Sequence, residues 1–222
     1  MRKTFLAITL FLAFSKAALA QFGNCTASEM RTYVDSATGN TITMLTDTMK
    51  NDRFLYQTDP MWTADGKYLL FRSSSRGNDK EVESTLPNGE KRKWTPTQIY
   101  FIEMATGKII QATEGPNLGS AFLANKTNRM FVSRKEKENW NMYVMDLNKF
   151  FADVKQGKVG KPSAYETFIG TFPTEMGRPG GYAVDCNDDY AYITVEREGT
   201  EEEKERMMKN AFLPESNQPV KI

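Results

Sequence analysis

The sequence predicts an all-β fold of repeated four-stranded antiparallel units, and three observations carry that prediction. First, TDPMWTADGKYLLFRSSS (residues 58–75), EGPNLGSAFLANKTNRMFVS (114–133) and GRPGGYAVDCNDDYAYITV (177–195) are versions of one pattern: a turn-rich stretch beside a dense apolar run. They recur at intervals of about 60 residues, the spacing of a structural repeat. Second, YVDSATG (33–39) and FIEMATG (101–107) are matched Thr-Gly turns. Third, the first unit breaks into four short apolar segments separated by turn signals. A repeat of that kind is one blade of a β-propeller.

In the first unit, residues 59–64 read as the inner strand, starting after Pro60, where a missing N–H costs least. Asp65-Gly66 is the two-residue hairpin signal, since a tight turn needs positive φ. Residues 68–71 form an apolar strand buried on both faces. Residues 73–97 are polar and read as a long loop. Residues 98–103 are the third strand and 109–113 the fourth. In the second unit, 121–124, 129–132 and 141–146 are the first three strands, and an insertion at 148–160 blurs the fourth. The third unit opens with 182–185 and 190–195. Before all of these, the 33–39 turn and residues 41–45 end an earlier blade. Trp62, Tyr68, Phe71, Tyr100, Phe101, Phe122, Phe131 and Tyr143 are expected in the core between blades.

Residues 1–20 stand apart. A basic start, an eleven-residue apolar stretch and Ala18-Leu19-Ala20 read as a signal peptide cleaved after Ala20. The apolar stretch is shorter than the roughly 20 residues of a membrane span. The expected location is therefore periplasmic or secreted. Without Arg2, Lys3 and Lys16 the chain keeps 26 basic and 28 acidic residues, a net charge of −2. That balance gives no support to nucleic-acid binding. Cys25 and Cys186 are compatible with a disulfide in an exported protein, but their pairing is not readable from sequence. The chain has no histidine. Ser-His-Asp and Cys-His catalysis are excluded, as are imidazole metal ligands.

Residues 21–198 thus read as a partial propeller of about three blades. Closure takes about 4–8 blades, so the expectation is a truncated form. Residues 199–222 are read as a helical or irregular tail leading to missing blades, with Gly199-Thr200 and Glu203 as a capping box.

These blocks, from about residue 33 to 197, resemble the oligogalacturonate lyase family, related in fold to TolB-type propellers. The resemblance is carried by Thr38-Gly39 to Leu45-Thr46, Phe54-Leu55-Tyr56-Gln57, and Trp62-Thr63-Ala64-Asp65-Gly66-Lys67. Downstream it is carried by Gln111-Ala112-Thr113-Glu114-Gly115, Asn117, Phe122-Leu123 and the stretch from Gly181 to Cys186. It implies β-elimination on acidic galacturonate oligosaccharides in pectin breakdown. A divalent cation, Mn²⁺ in the family, would neutralise the substrate carboxylate, and a base would remove the neighbouring proton. The family's histidine ligands and its base lie in later blades, so none carries over. The full-length family member is expected to hold Mn²⁺; this chain is expected to hold none and to be inactive alone.

Loops leading into inner strands, and those between second and third strands, share one rim. There Arg53, Tyr56, Gln57, Asn117 and Arg178 are candidate substrate contacts. Arginine forks onto carboxylates, and Tyr stacks on sugar faces; the alternative for each is loop packing or capping. Lys91-Arg92-Lys93, Arg134-Lys135 and Lys137 make the rim basic, diluted by Glu81, Glu83, Glu90, Glu136 and Glu138. A positive rim steers polyanionic sugars; an ordinary solvated loop is the alternative. A non-catalytic, TolB-like periplasmic protein that binds protein partners is the competing reading of the whole.

Overall fold

The computed structural model describes residues 22–77, 80–85, 89–137, 139–172, 178–196 and 219–221. The expected signal peptide and the expected capping box lie outside them. The fold is all-β, as expected; the helix among the described residues lies at Leu147–Gln156, not in the tail expected to be helical or irregular, where Pro219–Lys221 is a strand.

The strands in chain order are β1 (Cys25–Thr26), β2 (Arg31–Val34), β3 (Thr41–Met44), β4 (Asp52–Arg53), β5 (Tyr68–Ser73), β6 (Val82–Thr85), β7 (Lys91–Trp94) and β8 (Gln98–Glu103). There follow β9 (Ile109–Gln111), β10 (Leu118–Leu123), β11 (Arg129–Glu136), β12 (Asn139–Asp146), β13 (Glu166–Phe172), β14 (Arg178–Val184), β15 (Tyr190–Glu196) and β16 (Pro219–Lys221). Helix α1 (Leu147–Gln156) sits between β12 and β13. The sheets are β1-β9-β8-β5-β4, β10-β11-β12-β13 and β14-β15-β16, with two separate hairpins, β2-β3 and β6-β7.

The three sheets stack through two apolar layers, one shared by the first and second sheets and one by the second and third. Along β5, Tyr68 and Leu70 enter the core shared with the second sheet, while Leu69 and Phe71 pack on the opposite side with Leu45 and Met61. Along β10, Ala121 and Leu123 face the first sheet, and Phe122 and Ala124 face the third. This is the period-2 alternation of a strand, applied to sheets covered on both faces.

Each sheet turns at one end through a six-residue loop closed by a backbone pair. Thr63 N–H donates to Tyr68 O at 3.0 Å, Ala124 N–H to Arg129 O at 3.0 Å and Asp185 N–H to Tyr190 O at 3.0 Å. The first turn therefore encloses four residues, not the two expected from Asp65-Gly66. Gly66 takes the left-handed position there (φ 68°), and Asp188 takes it in the third (φ 64°).

Other expectations need correction. The inner strand expected at 59–64 reduces to a single bridge between Trp62 and Leu69. Its pairing with β5 resumes upstream at β4, through Arg53 opposite Arg72, so residues 54–60 bulge out of the sheet edge. Pro60 explains part of this, since it has no N–H to give to a ladder. Trp62, expected in the core, is 47% exposed. The polar stretch 73–97 is no structureless loop: β6 and β7 form an exposed hairpin within it. The strand expected at 109–113 stops at Gln111, because Thr113 turns its hydroxyl into the chain, accepting the Ile99 N–H at 2.8 Å.

The blurred insertion is α1. Asp146 caps its start, accepting the Lys149 N–H at 3.1 Å, and Gly157 ends it at φ 65°, a conformation only glycine adopts freely. The helix packs back onto the first sheet. Phe151 stacks on Tyr68 with centroids 3.6 Å apart and meets Phe101 edge-on at 5.1 Å. Lys155 reaches Glu103 at 3.0 Å. β1 extends the same sheet, pairing Cys25 with Ile110, and seats Phe22 against Phe150 at 5.0 Å. Cys25 and Cys186 are free, exposed thiols.

Candidate functional site

Strand direction sorts the loops into two ends. The turns around 63–68, 124–129 and 185–190, with α1, share one end. The other end carries the connection after β5, the turn between β11 and β12, and the approaches to β10 and β14. Near the turn end, the 54–60 bulge, β10 with its turn and β14 bound a cleft of ≈ 330 Å³. Thr58, Asp59 and Pro60 line it from the bulge, Phe122, Leu123 and Asn125 from β10 and its turn, and residues 182–184 from β14.

The turn end is rigidly cross-linked. The Asp188 carboxylate accepts the backbone N–H groups of Asn125, Lys126 and Thr127 at 2.7, 2.9 and 2.9 Å, and the Thr127 hydroxyl at 2.9 Å. Asn125 returns the bond, donating its amide to Val184 O at 3.2 Å and Asp185 O at 3.0 Å. Asp188 is 3% exposed. Its burial alone raises the carboxyl pKa, but the donors from Asn125, Lys126 and Thr127 outweigh that and hold it below the usual range. One turn earlier, the Asp65 N–H donates to Asn128 Oδ1 at 3.2 Å. Burial pushes the Asp65 carboxyl up, yet the Thr63 hydroxyl and the Lys67 backbone N–H bring it to about 2. This line of turns is scaffold: its polar groups are spent on one another.

The candidate contacts fall into two places. Tyr56 and Gln57 sit on the bulge beside Thr58, and both are exposed, Tyr56 by 67%. Arg53 is exposed at the opposite end of the sheet edge, its Nε 3.3 Å from Asn51 Oδ1. Asn117 is exposed ahead of β10, and its carbonyl accepts the Lys135 N–H at 2.9 Å. Arg178 begins β14, paired in register with Glu196. Tyr56 and Gln57 adjoin the cleft in the chain without lining it, as do Arg53 and Asn117 at greater distance; Arg53, Asn117 and Arg178 lie at the ends of their strands opposite the turns. Sequence reasoning missed Thr58, Phe122, Asn125 and Tyr182. The repeat does place Phe122 and Tyr182 alike, on the first strands of the second and third sheets; Thr58 and Asn125 lie in connections that it leaves unmarked.

The family-like block at 111–115 has a structural use. Thr113 Oγ1 donates to Gln98 Oε1 at 2.8 Å, Gln98 Nε2 donates to Gly115 O at 2.7 Å and Gln111 Nε2 donates to Thr113 O at 2.9 Å. Buried Gln98 and Thr113 thereby shape the path into β10.

The basic rim is partly neutralised. Arg134 pairs with Glu166 at 2.6 Å. Burial comes first for Glu166 and raises its carboxyl pKa in spite of Arg134. Lys91 pairs with Glu83 at 2.8 Å. Glu136 accepts the Tyr143 hydroxyl at 2.6 Å and the Asn141 amide at 2.9 Å. Arg92 and Lys93 remain exposed on β7. Glu138 lies outside the described residues.

A manganese ion would need a cluster of hard oxygen or imidazole donors. Among the described residues no group of three or more His, Cys, Asp or Glu side chains is placed to hold a metal, and the sequence has no histidine. The residues described do not fit that ion.

The fold is similar to that of oligogalacturonate lyase. One solved structure, an oligogalacturonate lyase in complex with manganese, superposes with a TM-score of 0.55 at 19% identity, covering 80% of this chain and 39% of that one. A second, an oligogalacturonate lyase from Vibrio parahaemolyticus, gives 0.55 at 20% identity, covering 81% and 39%. This chain thus spans about two-fifths of the length of those it matches. No protein-family model and no curated protein matches the sequence.

Proposed function

We propose that this chain is an exported, oligogalacturonate-lyase-like protein that binds acidic galacturonate oligosaccharides, with its three sheets as consecutive blades of a β-propeller. The observation that carries the reading is the cleft between the 54–60 bulge, β10 and β14 in a lyase-like fold. In this reading the sugar enters from the strand ends that carry Arg53, Asn117 and Arg178; the two guanidinium groups suit carboxylates. Tyr56 stacks on a pyranose face, and Gln57 serves sugar hydroxyls. The cation that the family resemblance implies would neutralise the substrate carboxylate. The described residues do not supply its ligands, so this chain's part is binding and orientation.

The test is ultraviolet detection of unsaturated product from digalacturonate with added Mn²⁺, run beside calorimetry on the same sample. Binding without product is expected. Metal-dependent product would contradict the assignment of a purely binding role.

The competing reading is a non-catalytic, TolB-like periplasmic protein that binds protein partners. It is favoured by the same unsuited donor set. It predicts no affinity for galacturonate.

A further inference from the structure

The β6–β7 hairpin has no place in the cleft. It rises between β5 and β8 at the rim end and is a two-stranded ribbon with almost every side chain in solvent. Its register is fixed: Val82 opposes Trp94, Glu83 opposes Lys93, Ser84 opposes Arg92 and Thr85 opposes Lys91. Directly opposed residues share a face, and faces alternate along each strand.

One face therefore carries Trp94, Arg92, Val82 and Ser84; the other carries Lys91, Lys93, Glu83 and Thr85. The ribbon's own acid is used on the second face, where Glu83 accepts Lys91 at 2.8 Å. Glu90, beside the turn, has a partner of its own. Among the described residues no ion pair engages Arg92. Trp94 is 38% exposed, and the Ser84 hydroxyl is tied across the ribbon to Arg92 O at 3.5 Å.

Residues two apart on a strand are spaced by about 6.8 Å. An indole and a guanidinium at that separation match a sugar ring stacked flat with its carboxylate, or its neighbour's, reaching sideways to the Arg fork. The face is cationic and its complement is an anion. The indole makes that anion a carboxylated sugar in preference to a bare charged group.

We propose that the Trp94–Arg92 face of the β6–β7 ribbon is a second binding site, for a uronate chain extending beyond the cleft. This rests on the galacturonate reading of the cleft. It makes the ribbon a holding arm for longer acidic polysaccharide.

The experiment is calorimetric titration of the full chain with polygalacturonate, digalacturonate, neutral galactan and dextran sulfate. Wild type is compared with Arg92→Ala, Trp94→Ala and Trp94→Phe. Arg92→Ala and Trp94→Ala should each weaken polygalacturonate binding about ten-fold, with digalacturonate affinity and unfolding midpoint unchanged. Trp94→Phe should retain most of the affinity, because a ring remains. Polygalacturonate binding that is indifferent to both alanine variants overturns the ribbon site and leaves the cleft reading standing. Binding of neither galacturonate ligand overturns both. Dextran sulfate bound as tightly, and weakened equally by the variants, overturns the assignment to carboxylated sugars in favour of a general polyanion surface.

Discussion

Asp188 holds a carboxylate under three backbone N–H groups and a hydroxyl of the neighbouring turn, almost out of solvent. Hydrogen bonds to a charged acceptor are the strong ones, and orphaning those donors is costly. Asp188→Ala is expected to cost about 3 kcal/mol in a urea unfolding titration. The sign of the pH effect follows from the depressed carboxyl. Its contribution is fully present above the unfolded aspartate value of about 4 and is lost as pH falls through the lower folded value. The stability gap between wild type and Asp188→Asn should therefore shrink as the titration moves from about pH 6 to about pH 3. A constant gap would contradict it. None of this was legible in the sequence. Asp188 falls between the segments expected at 182–185 and 190–195 and nothing local marks it, because its partners lie 61 to 63 positions upstream. Trp62 failed in the same way: burial of an inner-strand residue depends on a neighbour that local pattern cannot show.

At the scale of elements, apolar strands were the readable part. Residues 68–71, 98–103 and 129–132 alternate between two buried faces, so their identity did not depend on distant contacts. The helix was half readable. Asp146 and Gly157 are an N-cap and a C-cap, and Phe150-Phe151 mark its buried side, but the insertion interrupts an expected strand and masked the pattern. Its role is to lock the second sheet's insertion onto the first sheet. Phe151→Ala removes a ring stacked on Tyr68 and edge-on to Phe101. The expected cost is about 3–5 kcal/mol, read as a lowered midpoint in thermal or urea unfolding. A change below about 1 kcal/mol would show that the site collapses around the loss. The β6–β7 hairpin escaped sequence reading for another reason. Val82 and Trp94 are the only apolar residues of its two strands, and hydrophobic periodicity is blind to a ribbon in solvent.

At the scale of the whole molecule, buried charge joins the parts. Arg76, with a side chain 6% exposed, meets Glu29 and Asp52 at 2.6 Å each and lies over Phe71 at 5.3 Å. Arg76 is first among the causes that lower the Glu29 carboxyl pKa. This clamp ties the segment before β2 to β4 and to the end of β5. The stack of sheets was legible because the repeat was legible; the clamp and the cleft were not, since both are made by residues far apart in sequence. The cleft's chemistry belongs to this scale too, because its walls come from the 54–60 bulge and from two sheets. The central question is whether those walls take an acidic sugar. The direct measurement is calorimetric titration of the chain with digalacturonate against its neutral galactose counterpart, on wild type and Tyr56→Ala. The acidic disaccharide is expected to bind, roughly ten-fold more weakly to Tyr56→Ala, and the neutral one not at all. Equal affinity for both sugars, or no binding of either, would contradict that expectation.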